Sequence, residues 1–168
     1  VTLLTAAELE LKLGASQIGP DALEMTSEVW KRICAGSTRP IKVLLLDQQK
    51  VAGIGNLYAS EILHQACVSP LSRSDRLTEL ELEAIERSTR NVLLAAIEHE
   101  GSTLGDGTYR NALNRQGRYQ HHHRVYKREG ETCLACREGG ILRIGQAQRS
   151  TFYCPICQPE RSDRLDEQ

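Results

Sequence analysis

Four cysteines near the end of the chain have the spacing of metal ligands. Cys133 and Cys136 form one C-x2-C pair, Cys154 and Cys157 form a second, and seventeen residues separate the pairs. Each short turn directs two thiolates at one ion, and the insert brings the second pair back to the first. The spacing predicts one Zn²⁺ held by four sulfurs, which leaves no position for water and makes the ion structural. Two disulfides are the alternative, and a cytosolic chain disfavours them.

The insert between the two cysteine pairs has the pattern of a β-hairpin. Residues 141–144 are rich in β-branched side chains, residues 145–149 have turn character, and residues 150–153 resemble a returning strand. These features predict strands over 141–144 and 150–153 and a turn between them.

A glycine-rich stretch, Gly53-Ile54-Gly55-Asn56, precedes a helix-like run and could bind an anion. Glycines let a backbone approach a phosphate, and the amides and dipole of the following helix would face it. The stretch is not a dinucleotide fingerprint, because Tyr58 occupies the third glycine position, and no Gly-Lys-Ser/Thr of a Walker loop follows. An ordinary tight turn with Asn56 as the N-cap is the alternative.

Charge is distributed unevenly along a chain whose net charge is only −1. Residues 109–149 contain nine Lys and Arg against three acidic residues, so this segment carries +6 and the remainder carries −7. Such segregation indicates a local basic face for a polyanion. A solvated basic loop is the alternative.

Start and stop signals predict the helices that must position these residues. They fall at residues 5–14, 27–35, 41 to about 48, 56–66 and 78–101, and the first and last open with capping boxes at Thr5 and Thr78. The buried side of the last helix is expected to contain Leu82, Ile85, Val92, Leu93 and Ile97.

Other side chains are given structural roles by their surroundings. Cys34 and Cys67 are expected to be inert core thiols on apolar helical faces. Residues 119–126 alternate as in a strand, and His121, His122 and His123 within them fit no ligand spacing. The sequence has no run of the roughly 18 apolar residues that a membrane helix needs and no signal-peptide pattern, which predicts a cytoplasmic protein without membrane contact.

The motifs together resemble the Fpg/Nei family of formamidopyrimidine-DNA glycosylases. The similarity covers residues 17–158, and the motifs that carry it occur in order along the chain. They are Gly19-Pro20, Ile41-Lys42, residues 45–48, 51–61 and 117–120, Val125-Tyr126, Gly130-Glu131, residues 147–149, 151–154 and Cys157-Gln158. Gln146 departs from the pattern, since the family often has a histidine there.

The resemblance implies a fold that is mainly α, a helix–two-turn–helix bundle followed by a four-cysteine zinc finger. Residues 1–18 would be a linker from an N-terminal domain that this sequence does not contain. The helix–two-turn–helix domain would cover 19–103, a loop over the lesion 104–124 and the zinc finger 125–158, and 159–168 would be a disordered tail.

The resemblance also implies a partner and the residues that contact it. The partner would be duplex DNA with damaged bases or abasic sites, bound by a protein monomer. The DNA-binding residues would be Lys42, Gly53, Gly55, Asn56, Tyr126 and Arg149. Asn56 and Lys42 would contact the backbone at the damaged nucleotide, and Arg149 would hold phosphates beside a base flipped out of the helix.

Catalysis in this family belongs to an N-terminal Pro, whose amine forms a Schiff base, and to the Glu that follows it. The present sequence begins Val1-Thr2. We therefore expect no catalytic residue in these 168 residues: they would be the DNA-binding part of a base-excision-repair glycosylase/AP lyase, inactive alone. A standalone, non-catalytic DNA-binding module is the alternative, and a generic zinc-ribbon interaction protein is a weaker one.

Overall fold

In the residues that the structure describes, five α-helices precede one two-stranded β-hairpin. The computed structural model describes residues 3–14, 17–103 and 117–160. The helices are α1 Ala6–Leu13, α2 Ser27–Ala35, α3 Ile41–Leu45, α4 Asn56–Gln65 and α5 Glu79–Glu98. The strands are β1 Leu142–Gln146 and β2 Arg149–Tyr153, and short 3-10 helices cover Ser74–Arg76 and Tyr119–His122. This architecture confirms the predicted fold class.

Two predicted segments lie partly outside the described residues. The region expected to form a loop over the lesion includes residues 104–116, and the expected tail includes residues 161–168. The predicted domain boundaries stay predictions.

Both predicted capping boxes form. The Thr5 hydroxyl accepts a hydrogen bond from the Glu8 amide, and Thr78 does the same with the amide of Glu81. In each case the glutamate side chain accepts from the threonine amide, so two amides at the start of the helix are satisfied. Because these contacts are local, the sequence placed the starts of α1 and α5 correctly.

The helical core lies where α5 packs against α2 and α4. Ile85 and Val92 on α5 are buried there with Trp30 of α2 and Ile62 of α4. The prediction for Ile97 was wrong, since 64% of that residue is exposed. Ala96 takes the buried position in that turn, and successive helical residues are rotated by about 100°, which turns Ile97 outward. None of the five helices described is both long and apolar enough to span a membrane.

The two cysteines expected in the helical core differ from each other. Cys34 is buried in α2, as predicted. Cys67 is exposed, so that prediction was wrong. Its φ of 56° lies in the left-handed region, just after α4 ends, and the chain leaves the helical path there.

A second, smaller core lies under the hairpin. Val125, Ile141 and Phe152 are buried in it with Cys133 and Cys154. The strands are antiparallel, with Gln146 opposite Arg149, so the turn consists of two residues instead of the predicted five. Ala147 and Gln148 have φ values of 45° and 61°, the left-handed conformation that a tight hairpin turn with the correct twist requires.

The strand predicted over residues 119–126 does not form. Residues 119–122 form a 3-10 helix, and Tyr119 is buried with its ring against Tyr58 and His122. The next backbone amides, those of residues 124–126, donate to the Glu61 side chain of α4. A strand would need those amides for a neighbouring strand, and here a carboxyl group takes them.

Candidate nucleic-acid interface and metal centre

The Gln48 side chain fixes the conformation of the turn before α4. Gln48 donates from Nε2 to the carbonyl of Ile54 at 2.9 Å and accepts the amide of Gly53 at Oε1 at 3.0 Å. Gly53 has a φ of 94°, which side chains other than glycine rarely adopt. Nothing lies within 4 Å of the position that a Cβ on Gly53 or on Gly55 would occupy. The turn therefore leaves space in front of the first turn of α4.

The N-cap of α4 is Gly55, and no side chain caps this helix. The alternative reading with Asn56 as the N-cap was therefore wrong. The first amides of a helix have no partner within it, and the dipole adds about half a positive charge at that end. An uncapped N-terminus beside an open turn suits an anion such as phosphate.

The Asn56 side chain instead connects the part of the chain that contains α1 to α5, the helical half, to the hairpin. Its Nδ2 donates to the carbonyl of Ser150 in β2 at 3.0 Å, and its Oδ1 accepts from Lys42 Nζ at 2.6 Å. With both ends of the amide bonded, the orientation of the Asn56 side chain is fixed at the start of α4.

Lys42 is fully buried, with 0% of the residue exposed. Besides Asn56, its ammonium donates to Ser150 O at 3.1 Å and to Thr151 Oγ1 at 2.7 Å. Burial, with a contribution from the charge of Arg149, lowers the pKa of Lys42 to about 8. The resemblance predicted a direct contact between Lys42 and DNA, but the Lys42 ammonium has no exposure to solvent. It instead holds Asn56, Ser150 and Thr151 in place through hydrogen bonds.

Thr151 is also hydrogen-bonded to Gln146, the last residue of β1. Thr151 Oγ1 donates to Gln146 Oε1 at 2.8 Å, and Gln146 Nε2 donates to the carbonyl of Pro70 at 3.1 Å. Gln146, the residue that departs from the family pattern, is therefore a buried link between the hairpin and the loop after α4.

Arg149 is the exposed positive charge at this corner. It is the first residue of β2, next to the turn, and its charge is close enough to Lys42 to affect the pKa of that group. Within the described ranges no carboxylate lies within ion-pair distance of Arg149. The N-terminus of α4, Asn56 and Arg149 thus form one positively charged corner.

Tyr126 packs against the hydrophobic core under the hairpin. It is half-buried, with its ring packed edge-on against Phe152 at 5.2 Å and His123 at 5.7 Å between centroids. A contact between Tyr126 and DNA stays a prediction.

The four cysteines of the predicted metal site converge. All four Sγ atoms lie within 4.8 Å of one another, with 3.8 Å between Cys133 and Cys157 and 3.7 Å between Cys136 and Cys154. Disulfide sulfurs would be about 2.05 Å apart, so the disulfide alternative does not fit. Four sulfurs arranged tetrahedrally at about 2.3 Å from one ion are about 3.8 Å apart. The cluster can therefore hold a metal ion.

Glu61 is a functional residue that the sequence reasoning missed. Only 2% of it is exposed, and its carboxyl group accepts the amides of Arg124, Val125 and Tyr126 at 2.8–3.0 Å. Burial raises the pKa of Glu61, and the three amides oppose that rise. An acidic residue directly before the apolar pair Ile62-Leu63, with no Lys or Arg nearby in sequence, was the signal that could have identified it.

Gln158 makes a similar connection at the far side of the hairpin. Its Oε1 accepts the Cys154 amide at 3.0 Å, and its Nε2 donates to the carbonyl of Val68 at 2.8 Å. The four-cysteine cluster is therefore attached to the helical half by buried polar side chains at several points.

The fold and the site define a class of protein: a helix–two-turn–helix unit followed by a four-cysteine finger. Residues 18–107 match the family described as the formamidopyrimidine-DNA glycosylase H2TH domain. The chain belongs to this family, as the sequence resemblance indicated.

Individual relatives agree with this assignment. The chain is 44% identical over 142 residues to the formamidopyrimidine-DNA glycosylase of Chloroflexus aggregans, covering 83% of this chain and 50% of that protein. It is 46% identical over 124 residues to the enzyme of Thermus thermophilus, covering 74% of this chain and 46% of the relative. The chain thus spans about half the length of these curated relatives.

Solved structures give the same result. The crystal structure of MutM (Fpg) from Thermus thermophilus superposes with a TM-score of 0.81 at 41% identity, covering 87% of this chain and 55% of that one. The Lactococcus lactis Fpg in complex with DNA containing an abasic site gives a TM-score of 0.83 at 30% identity, covering 94% and 57%.

We expect Glu61→Gln to loosen the connection between the helical half and the finger. The amide nitrogen of glutamine cannot accept a hydrogen bond, so at least one of the three backbone amides loses its partner at a cost of about 1–3 kcal/mol. Hydrogen exchange at residues 124–126 should then be roughly 10- to 100-fold faster. Glu83→Gln on the exposed face of α5 is the control and should leave these amides protected. Unchanged protection in Glu61→Gln would show that the carboxyl group does not hold this segment.

Proposed function

We propose that these 168 residues are the DNA-binding part of a base-excision-repair DNA glycosylase/AP lyase that acts on oxidised bases of the 8-oxoguanine and formamidopyrimidine type. The partner is duplex DNA that contains damaged bases or abasic sites. The observation that carries the proposal is the corner formed by the N-terminus of α4, Asn56 and Arg149 over the buried ammonium of Lys42. Related solved structures contain Lactococcus lactis Fpg bound to DNA with an abasic site and to DNA with Fapy-dG.

The corner is suited to backbone phosphates rather than to base edges. Its groups are backbone amides, one guanidinium and one side-chain amide, and such groups position a protein on DNA without reading its sequence. The open turn at Gly53 and Gly55 lets a phosphate approach the start of α4. Arg149 adds a charge that can release a counterion from the DNA.

We also propose that the ion in the four-cysteine site is Zn²⁺ and that its role is structural. Thiolate ligands in a closed tetrahedral set are typical of structural zinc. Four ionised thiols this close together repel one another unless a cation lies between them, so the ion stabilises the finger. The finger in turn presents Arg149 and the carbonyl of Ser150 to the corner. A cytoplasmic location and a monomeric state are part of the same proposal.

Removal of zinc should unfold the finger and leave the helical half folded. The two hydrophobic clusters are separate, and the binding energy of a structural zinc is largely folding energy for its own module. Metal analysis should find one zinc per chain, and Cys133→Ser or a strong chelator should abolish the hairpin signals in an NMR spectrum. Cys67→Ser is a matched control, because Cys67 is exposed outside the cluster. Purified protein without zinc, with two disulfides by thiol titration, would refute this assignment.

We expect Arg149→Ala and Asn56→Ala to weaken binding to duplex DNA while the protein stays folded. Loss of the Arg149 charge should reduce the slope of log K against log salt by about one. Loss of the neutral Asn56 side chain should lower affinity and leave that slope nearly unchanged. Fluorescence anisotropy titrations at several salt concentrations measure both quantities.

Arg87→Ala provides the control for the charge change, because Arg87 is exposed on α5. Its effect on the salt slope should be far below that of Arg149→Ala. If both Arg149→Ala and Asn56→Ala bound DNA with wild-type affinity, the corner would not be the DNA contact.

The isolated 168-residue chain should bind DNA without cleaving it. The resemblance assigns Schiff-base chemistry to an N-terminal Pro and an adjoining Glu, and the 168-residue chain spans only about half the length of its curated relatives. Borohydride trapping with an abasic or 8-oxoguanine duplex should give no covalent adduct and no nicked strand. The Thermus thermophilus enzyme, assayed in parallel, is the positive control. An adduct with the 168-residue chain would place a nucleophile within it and overturn this part of the proposal.

A further inference from the structure

His64 is a buried residue that the proposed function leaves without a role. It lies in the last turn of α4, three residues after Glu61, and 2% of it is exposed. Its Nε2 atom is 3.4 Å from Sγ of Cys133, which is itself fully buried. An imidazole from the helical half therefore reaches a metal ligand of the finger.

The surroundings of the ring determine which nitrogen carries the proton. Nδ1 of His64 is buried and has no hydrogen-bond partner among the described residues. A proton on Nδ1 would leave a buried donor unpaired and would point the lone pair of Nε2 at the sulfur of Cys133. A proton on Nε2 gives the sulfur a donor and leaves only a lone pair unsatisfied, which costs less.

Two of the other cysteines, Cys136 and Cys154, obtain their donors differently. Cys136 Sγ accepts the amide of Gly139 at 3.4 Å, and the amides of Ile156 and Cys157 donate toward Cys154. These donors belong to the same turns as the cysteines that they contact. Cys133 receives a donor from a distant helix, so its environment depends on how the finger docks on α4.

We propose that His64 donates a hydrogen bond from Nε2 to the zinc-bound thiolate of Cys133, and that this bond retains the metal and fixes the finger on α4. The inference rests on the proposed zinc site. A hydrogen bond to a thiolate withdraws part of its charge and orients it, and partners of this kind commonly contribute 10- to 100-fold to metal affinity. Together with the Glu61 contacts, the bond makes the docked position of the finger a condition for tight metal binding.

The test compares three variants of the zinc-loaded 168-residue chain. His64→Phe keeps the ring and removes the donor, His64→Gln restores an N–H near the position of Nε2, and His121→Phe makes the same substitution at an exposed histidine. Zinc transfer to the chromogenic chelator 4-(2-pyridylazo)resorcinol should be roughly 10- to 100-fold faster in His64→Phe. The transfer rate should return close to the wild-type value in His64→Gln and should equal the wild-type value in His121→Phe.

A second measurement separates the hydrogen bond from packing. The sulfur-to-metal charge-transfer band of Co²⁺ in the site should shift in His64→Phe and return toward the wild-type position in His64→Gln. In the wild-type protein, ¹⁵N NMR of the imidazole should show the proton on Nε2. This last measurement requires no variant, so it decides the proposal even if His64→Phe does not fold.

Several results would overturn the proposal. One is a proton on Nδ1 of His64 in the wild-type protein. Another is a His64→Phe protein that has the circular dichroism, the zinc-transfer rate and the Co²⁺ band position of the wild type. If the wild-type chain binds zinc and His64→Phe behaves as wild type, only the role of His64 fails. If the wild-type chain binds no zinc, the proposed metal site fails and this inference fails with it.

Discussion

The buried ammonium of Lys42 is the interaction on which the arrangement of the corner depends. An ammonium removed from water loses several kcal/mol of solvation, which must be offset by acceptors held at the correct distance. Two of its acceptors, Ser150 O and Thr151 Oγ1, belong to the hairpin, and the third, Asn56 Oδ1, belongs to α4. The charge can therefore be satisfied only when the hairpin lies against the helical half, and that same position brings Arg149 beside the start of α4.

Helix α4 organises the rest of the contact between the two halves. Asn56 at its start bonds the hairpin, Glu61 in its middle holds the segment that enters the finger, and His64 in its last turn reaches the four-cysteine cluster. A helix keeps such side chains at fixed separations, so one rigid element sets the position of the positively charged corner and of the four-cysteine cluster together. The finger contributes no apolar residue to the helical core, and these polar contacts determine its orientation.

Polar groups are well suited to this task. Apolar packing is not directional, whereas a buried donor without its acceptor costs free energy in every wrong arrangement. The interface between the halves contains an ammonium, a carboxyl group, an imidazole and three side-chain amides, those of Asn56, Gln146 and Gln158. Each of these groups bonds a specific partner across the interface. The position of the hairpin relative to the helices in which all of them are satisfied is therefore narrowly defined.

The sequence by itself determined the features that depend on nearby residues. The capping boxes at Thr5 and Thr78 and the spacing of the four cysteines are local patterns with local causes, and the structure contains each of them. Tertiary packing decided the features that depend on distant partners. Ile97 and Cys67 are exposed although their types favour burial, and Lys42 is buried although its type favours exposure. Residues 124–126 bond to Glu61, more than sixty positions away, instead of forming a strand. Helix caps and ligand spacings act over a few residues and can be read from them, whereas the burial of a side chain depends on what the rest of the chain packs against it.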